Sequence, residues 1–162
     1  MATQMHQHPH STAQIGGHPI HPMLIPFPIA FFLGTLATDI VLAVTGEPFW
    51  ARMSFYLICA GLVMAALAAV AGLTDFLGDR LLRGAGTALH HMLGNVTVVV
   101  LEIVSLIVRA GPHHADDALP WGLIISIVVT LLLIYTGWLG GRMVYEMNTG
   151  MSDEAAALQR SH

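Results

Sequence analysis

The sequence predicts an all-α protein, an integral membrane bundle of four antiparallel helices. Three observations carry that prediction. Of its 162 residues, 55% are hydrophobic and only 10% charged, whereas a soluble domain carries roughly a quarter charged residues. Such a chain cannot clothe a surface in contact with water. The apolar residues also collect in four runs, at 20–45, 50–77, 88–110 and 120–145, each at or above the ~20 residues a helix needs to cross ~30 Å of hydrocarbon. Finally, the runs lack the polar–apolar alternation that strands of a membrane barrel show.

Size and charge narrow the function classes. A chain of this length is one domain. A formal charge of −4 provides no basic patch for nucleic acid. The single cysteine, Cys59, excludes an intrachain disulfide and a cysteine-held iron–sulfur cluster. Ten histidines are the abundant residues that ligate metals or titrate near neutral pH.

Residues 1–17 are polar and hold no Lys or Arg. A secretory leader needs a positive start and an early apolar core, so no cleavage is expected. His6, His8 and His10 alternate there, a pattern for loose Cu, Ni or Zn binding within a tail otherwise expected to be disordered. The membrane domain then runs over residues 18–147. Its first span opens on His18-Pro19-Ile20-His21-Pro22 and carries Pro26 and Pro28, which remove backbone donors and predict a kinked entry. Gly46-Glu47-Pro48, residues 78–87 and residues 111–120 read as loops. Residues 148–162 form a polar tail, with at most a short surface helix from Ser152-Asp153-Glu154. Short loops make sequential helices antiparallel neighbours. Arg80, Arg83, Arg142 and Arg160 then share one side, against Arg52 and Arg109 on the other, which places both termini in the cytoplasm.

Alternating direction brings the unusual residues to one end. His18 and His21 start the first span, Asp75 ends the second, His90 and His91 start the third, and Arg142 and Tyr145 end the fourth. Ionisable groups at membrane depth are costly and point to function. In the third span His91, Asn95, Val98, Glu102, Ser105 and Arg109 recur at helical spacing and form one inward stripe. Asp39 and Glu102 are candidates for a proton or ion path, or for pairing with Arg52 and Arg109 at the far rim. A faint internal echo sets His21-Pro22-Met23-Leu24 against His90-His91-Met92-Leu93, and Ala71-Gly72-Leu73 against Thr136-Gly137-Trp138. Two related hairpins would explain it, with His21 and His90 as mates.

At these residues the chain resembles the bacterial membrane family called domain of unknown function 2231. The resemblance runs from about Gly17 to Met151. It rests on His18-Pro19-Ile20-His21-Pro22, Phe27-Pro28, Asp39, Gly72-Leu73-Thr74-Asp75-Phe76, His91 with Asn95, and Gly140-Gly141-Arg142-Met143-Val144-Tyr145. The family commonly has an acidic residue where Arg142 stands and a histidine-bearing continuation after the tyrosine. Here Glu146-Met147-Asn148 follows instead, so no role of that tail histidine carries over. The resemblance implies a bacterial inner-membrane protein in a redox setting, beside Rieske-type or cytochrome c-type partners.

Three functions follow. The first is a haem b-binding electron-transfer component, with His21 or His18 and His91 or His90 as axial ligands. Asp75 would orient a ligand imidazole, and Arg142 or Arg83 would neutralise a propionate. The second is a Zn, Cu or Fe binding or transport protein using His18, His21, His91 and Asp75. The third is a structural subunit of a larger membrane complex, or a homo-oligomer. No nucleophilic triad order, phosphate loop or cysteine pair supports a stand-alone enzyme.

Overall fold

The computed structural model describes residues 8–111 and 118–151. His6, Arg160, the Ser152-Asp153-Glu154 segment and most of the third loop lie outside the described residues. Two short strands, β1 (Gln14–Ile15) and β2 (His18–Pro19), pair antiparallel. Gly16 and Gly17 between them both take positive φ, 57° and 82°. A two-residue hairpin turn of this kind needs that backbone, and glycine adopts it without steric cost.

Helix α1 (Ile20–Leu24) breaks at Ile25 before α2 (Pro26–Thr45). Pro26 and Pro28 offer no N–H to the preceding turn, and the Ile29 N–H reaches the Ile25 carbonyl only at 3.4 Å. The kinked entry expected from the prolines is therefore present. Gly46 ends α2 at φ 69°, donating its N–H to the Leu42 carbonyl. Pro48 opens α3 (Pro48–Gly78), where its missing donor costs nothing. The second connection, expected to be a loop, contains one helical turn, α4 (Arg80–Gly84). Asp79 caps it by accepting the Leu81 N–H at 2.6 Å, and Leu82 is buried beneath it. Helices α5 (Gly86–Arg109) and α6 (Trp121–Tyr145) complete the bundle. Among the described residues, four segments are long and apolar enough to cross a membrane: Ile20–Thr45, Pro48–Gly78, Gly86–Arg109 and Trp121–Tyr145.

The bundle is polar inside and apolar outside. Thr35, Asp39, Ser54, Glu102, Ser105, Arg109, Ser126 and Thr136 are buried, whereas Val63, Leu131 and Ile134 are more than 60% exposed. Lipid tails are as apolar as leucine, so helices in lipid associate through small residues, close packing and interhelical hydrogen bonds. The Phe32 ring lies directly on Gly61, and the Thr136 methyl on Gly94, where a Cβ would collide in each case. Phe32, Ala65, Val98, Val129 and Leu133 form the central apolar layer.

Helix α2 packs against α3 and α6, and α5 packs against α6 and α3. Helices α2 and α5 thus face each other across a diagonal, as do α3 and α6. The two hairpins bury matching positions. Pro28, Phe32, Thr35 and Asp39 on α2 correspond to Val98, Glu102, Ser105 and Arg109 on α5, at the 70-residue separation of Asp39 and Arg109. On α3, Ser54, Ile58, Gly61, Ala65, Ala68 and Ala71 correspond to Gly122, Ser126, Val129, Leu133, Thr136 and Leu139 on α6. The echo noted in the sequence is therefore out of register by one residue in α5, and by most of a turn in α6. The mate of His21 is His91, not His90, because inward-facing positions set the alignment and the apolar text around them does not.

The segment expected to be a disordered tail is laid down in order from His8 onward. Asp75 Oδ1 accepts the backbone N–H of Thr12 and of Ala13, each at 2.7 Å, and the Ser11 hydroxyl at 2.9 Å. Asp79 Oδ2 accepts the His10 N–H at 2.8 Å, and the Gly150 N–H reaches the Pro9 carbonyl at 3.0 Å. The C-terminal end of α3 thus grips the backbone of residues 10–13.

Candidate functional site

The site begins with two imidazoles on opposite corners of the bundle. His21 enters from α1, just ahead of the proline break, and its Nδ1 lies 2.8 Å from the Ala68 carbonyl of α3. His91 enters from α5, and its Nδ1 lies 2.9 Å from the Thr136 carbonyl of α6. A carbonyl oxygen can only accept, so Nδ1 carries the proton in each ring. In the neutral tautomer that leaves Nε2 with its lone pair. Both carbonyls occupy matching places in the two hairpins. Glycine makes the approach feasible. A Cβ on Gly72 would stand 2.8 Å from His21 Nδ1, and one on Gly140 would stand 3.2 Å from His91 Cε1.

The rings meet near the bundle axis, with centroids 6.2 Å apart and planes at 86°. An imidazole nitrogen holds a first-row metal ion at about 2.0–2.1 Å, so two such bonds and the two ring radii span about 6 Å. The 6.2 Å between the centroids is close to that span, in an edge-on arrangement of the two rings. Among the described residues, no group of three or more His, Cys, Asp and Glu side chains has the geometry to hold a metal ion.

The remaining predicted residues lie apart from this pair. His18 is exposed, with Nδ1 3.0 Å from the Gly16 carbonyl in its own turn. His90 is exposed on the outside of α5. Asp75 holds the N-terminal segment and does not contact an imidazole through any hydrogen bond described. Asn95 donates to the His91 carbonyl one turn back in its own helix, at 2.8 Å. Arg142 pairs at the surface with Glu146, at 2.8 Å, and Arg83 is exposed. Tyr145 is 73% exposed. In the tail, the His8 and His10 rings lie 4.5 Å apart.

The opposite end of the bundle is closed by an ion pair. Arg109 Nη1 and Nη2 donate to Asp39 Oδ1 and Oδ2 at 2.7 and 2.6 Å. Asp39 also accepts the hydroxyls of Ser54 and Ser126, each at 2.6 Å. Arg109 Nε donates to Ser105 Oγ at 3.1 Å, and Thr38 Oγ1 lies 2.7 Å from Ser54 Oγ. All four long helices contribute. Gly122 admits the guanidinium, since a Cβ there would stand 2.7 Å from Nη2. Of the two arginines expected at this rim, Arg109 is the one that pairs with Asp39, while Arg52 is exposed. Sequence reasoning missed Ser54 and Ser126 as its partners. The signal lay in each being the one serine of an otherwise largely apolar span.

A lipid-facing apolar exterior, four spanning helices and a buried polar interior define a multi-pass integral membrane protein. The chain belongs to the DUF2231 family of predicted membrane proteins, whose profile matches residues 17–153. No curated protein and no solved structure matches it.

Proposed function

We propose that this is a haem b-binding electron-transfer component of the bacterial inner membrane, in which His21 and His91 would hold the haem iron. The observation that carries the reading is the pair itself: two imidazoles from opposite hairpins, 6.2 Å apart, each with Nδ1 tied to a carbonyl and Nε2 uncommitted. Metal-bound histidines are oriented in this way through their second nitrogen. The donor set favours haem over a bare ion. A structural zinc site needs four protein ligands and a catalytic one three, whereas a haem brings its own ring nitrogens and asks the protein for two axial groups. Haem supplies one-electron chemistry when bound. The chain's own residues fix the two imidazoles, set their tautomers and exclude bulk around them through Gly72 and Gly140. Arg142, engaged by Glu146, has no part in this reading as a propionate partner.

An electron carrier needs a donor and an acceptor. A Rieske-type or cytochrome c-type protein is the partner class this reading names. The arginine distribution supports cytoplasmic termini. The test is an absorption spectrum of detergent-purified protein after haem-supplemented expression, oxidised and dithionite-reduced, with metal analysis on the same sample. Sharp reduced α and Soret bands are expected, and both are lost in His21→Ala and in His91→Ala. A featureless spectrum overturns the reading. If Zn, Cu or Fe is then bound, metal handling takes its place; if none is, a structural subunit does.

A further inference from the structure

Glu102 is the buried group that the histidine site does not use. Its side chain is fully buried, yet neither Oε1 nor Oε2 has a hydrogen-bond partner. It lies on the inward stripe of α5, one turn beyond Val98 of the central apolar layer. By helical rise it stands about 16 Å from His91 and about 10 Å from Arg109 along the axis. The charged groups that act on it are Arg109 on its own helix and Asp39 on α2. Those two are bound to each other, with both carboxylate oxygens of Asp39 on the guanidinium. From α3 and α6, the hydroxyls of Ser54 and Ser126 also go to Asp39.

We propose that Glu102 is an intramembrane proton-binding site: a neutral carboxylic acid within the bundle that exchanges its proton with water. Two independent observations carry this. An ionised carboxylate buried without a donor is strongly disfavoured, and binding a proton removes the charge. A metal cation would not serve, because it needs several oxygen donors and both oxygens here stand without polar partners. The second observation is the internal symmetry. The position matching Glu102 in the first hairpin is Phe32, which fills the same layer as an apolar side chain. Packing at this level is thus satisfied by a hydrocarbon, and the acid departs from it. Asp39, which the sequence also marked for a proton path, is held in its ion pair and takes no part. The step is proton transfer alone. An Oε–H bond breaks, the proton passes to water as hydronium, and the carboxylate remains; uptake is the reverse. The inference does not depend on haem.

The test is infrared spectroscopy of the full-length protein in lipid nanodiscs. The wild type is expected to show the carbonyl band of a protonated carboxylic acid near neutral pH. That band shifts in D2O, vanishes as the pH is raised, and is absent in Glu102→Gln. Glu102→Leu, the nearest approach to the matching hydrocarbon, serves where the amide does not fold, and it too is expected to lack the band. A band that survives both substitutions, one that fails to shift in D2O, or no such band in the wild type overturns the proposal.

Discussion

The two ends of the bundle are built from the same symmetric positions and put to opposite use. At one end His21 and His91 face each other across the diagonal; at the other, Asp39 and Arg109 do. The ion pair is closed. Every polar group described in it is matched by another, on four helices, with nothing left to offer a ligand. The histidine pair is anchored through one nitrogen per ring, to backbone carbonyls, and each ring keeps the other nitrogen. Saturation marks the far end as the structural clasp, and the spare ring nitrogens at the near end are what the proposed function draws on.

The largest expected effect breaks the clasp. Arg109→Ala leaves a buried carboxylate without its counter-ion, which costs about 3–5 kcal/mol. Thermal unfolding in detergent should show the loss, together with reduced recovery of monodisperse protein. The symmetry sharpens the test. Exchanging the charges, Asp39→Arg with Arg109→Asp, restores an unlike pair at matching positions and should recover about half of that loss or more. A double variant no better than the single one would show that the two hairpins are not equivalent there.

A smaller effect is expected at the histidine end. Gly72→Ala places a Cβ 2.8 Å from His21 Nδ1, while Gly140→Ala approaches His91 at 3.2 Å. Overpacking at the first should cost about 1–3 kcal/mol, and less at the second. If haem binds as proposed, the same order should appear in the haem absorption recovered. Equal effects at both would argue that the ring positions are not set by these glycines.

The smallest effect lies outside both ends. The Arg142–Glu146 pair is exposed, so Arg142→Ala should leave the unfolding temperature unchanged. The hydrogen bond from Arg142 holds the Glu146 carboxyl below the usual carboxylate range. Any stabilisation from it is present above the ordinary carboxylate value and is lost as pH falls through the lowered one. A carbon-detected NMR titration should show the Glu146 midpoint rise in the variant.

Much of this architecture was legible from sequence because lipid imposes simple demands. Length and apolarity mark the four spans, and Pro26 with Pro28 marks the break at Ile25. The histidine end was legible because alternating direction must gather His21 and His91. What could not be read was rotation. Adjacent residues on a helix point about 100° apart, so packing alone decided for His91 over His90. The choice of Arg109 over Arg52 required the same knowledge, although the shared 70-residue offset was available once His21 and His91 were matched. The ordering of residues 10–13 was hidden for a different reason. It depends on backbone N–H groups meeting Asp75 and Asp79, and those donors carry no side-chain signature.

The unlike charges at matching positions also bear on assembly. Two hairpins of such similar shape, inserting from neighbouring nascent chains, could pair first with first or second with second. Like pairing would bring two carboxylates, or two guanidiniums, face to face inside the bilayer. Only a first hairpin meeting a second one is neutral there. On charge alone, the Asp39–Arg109 contact therefore favours each half meeting its complement over meeting its twin.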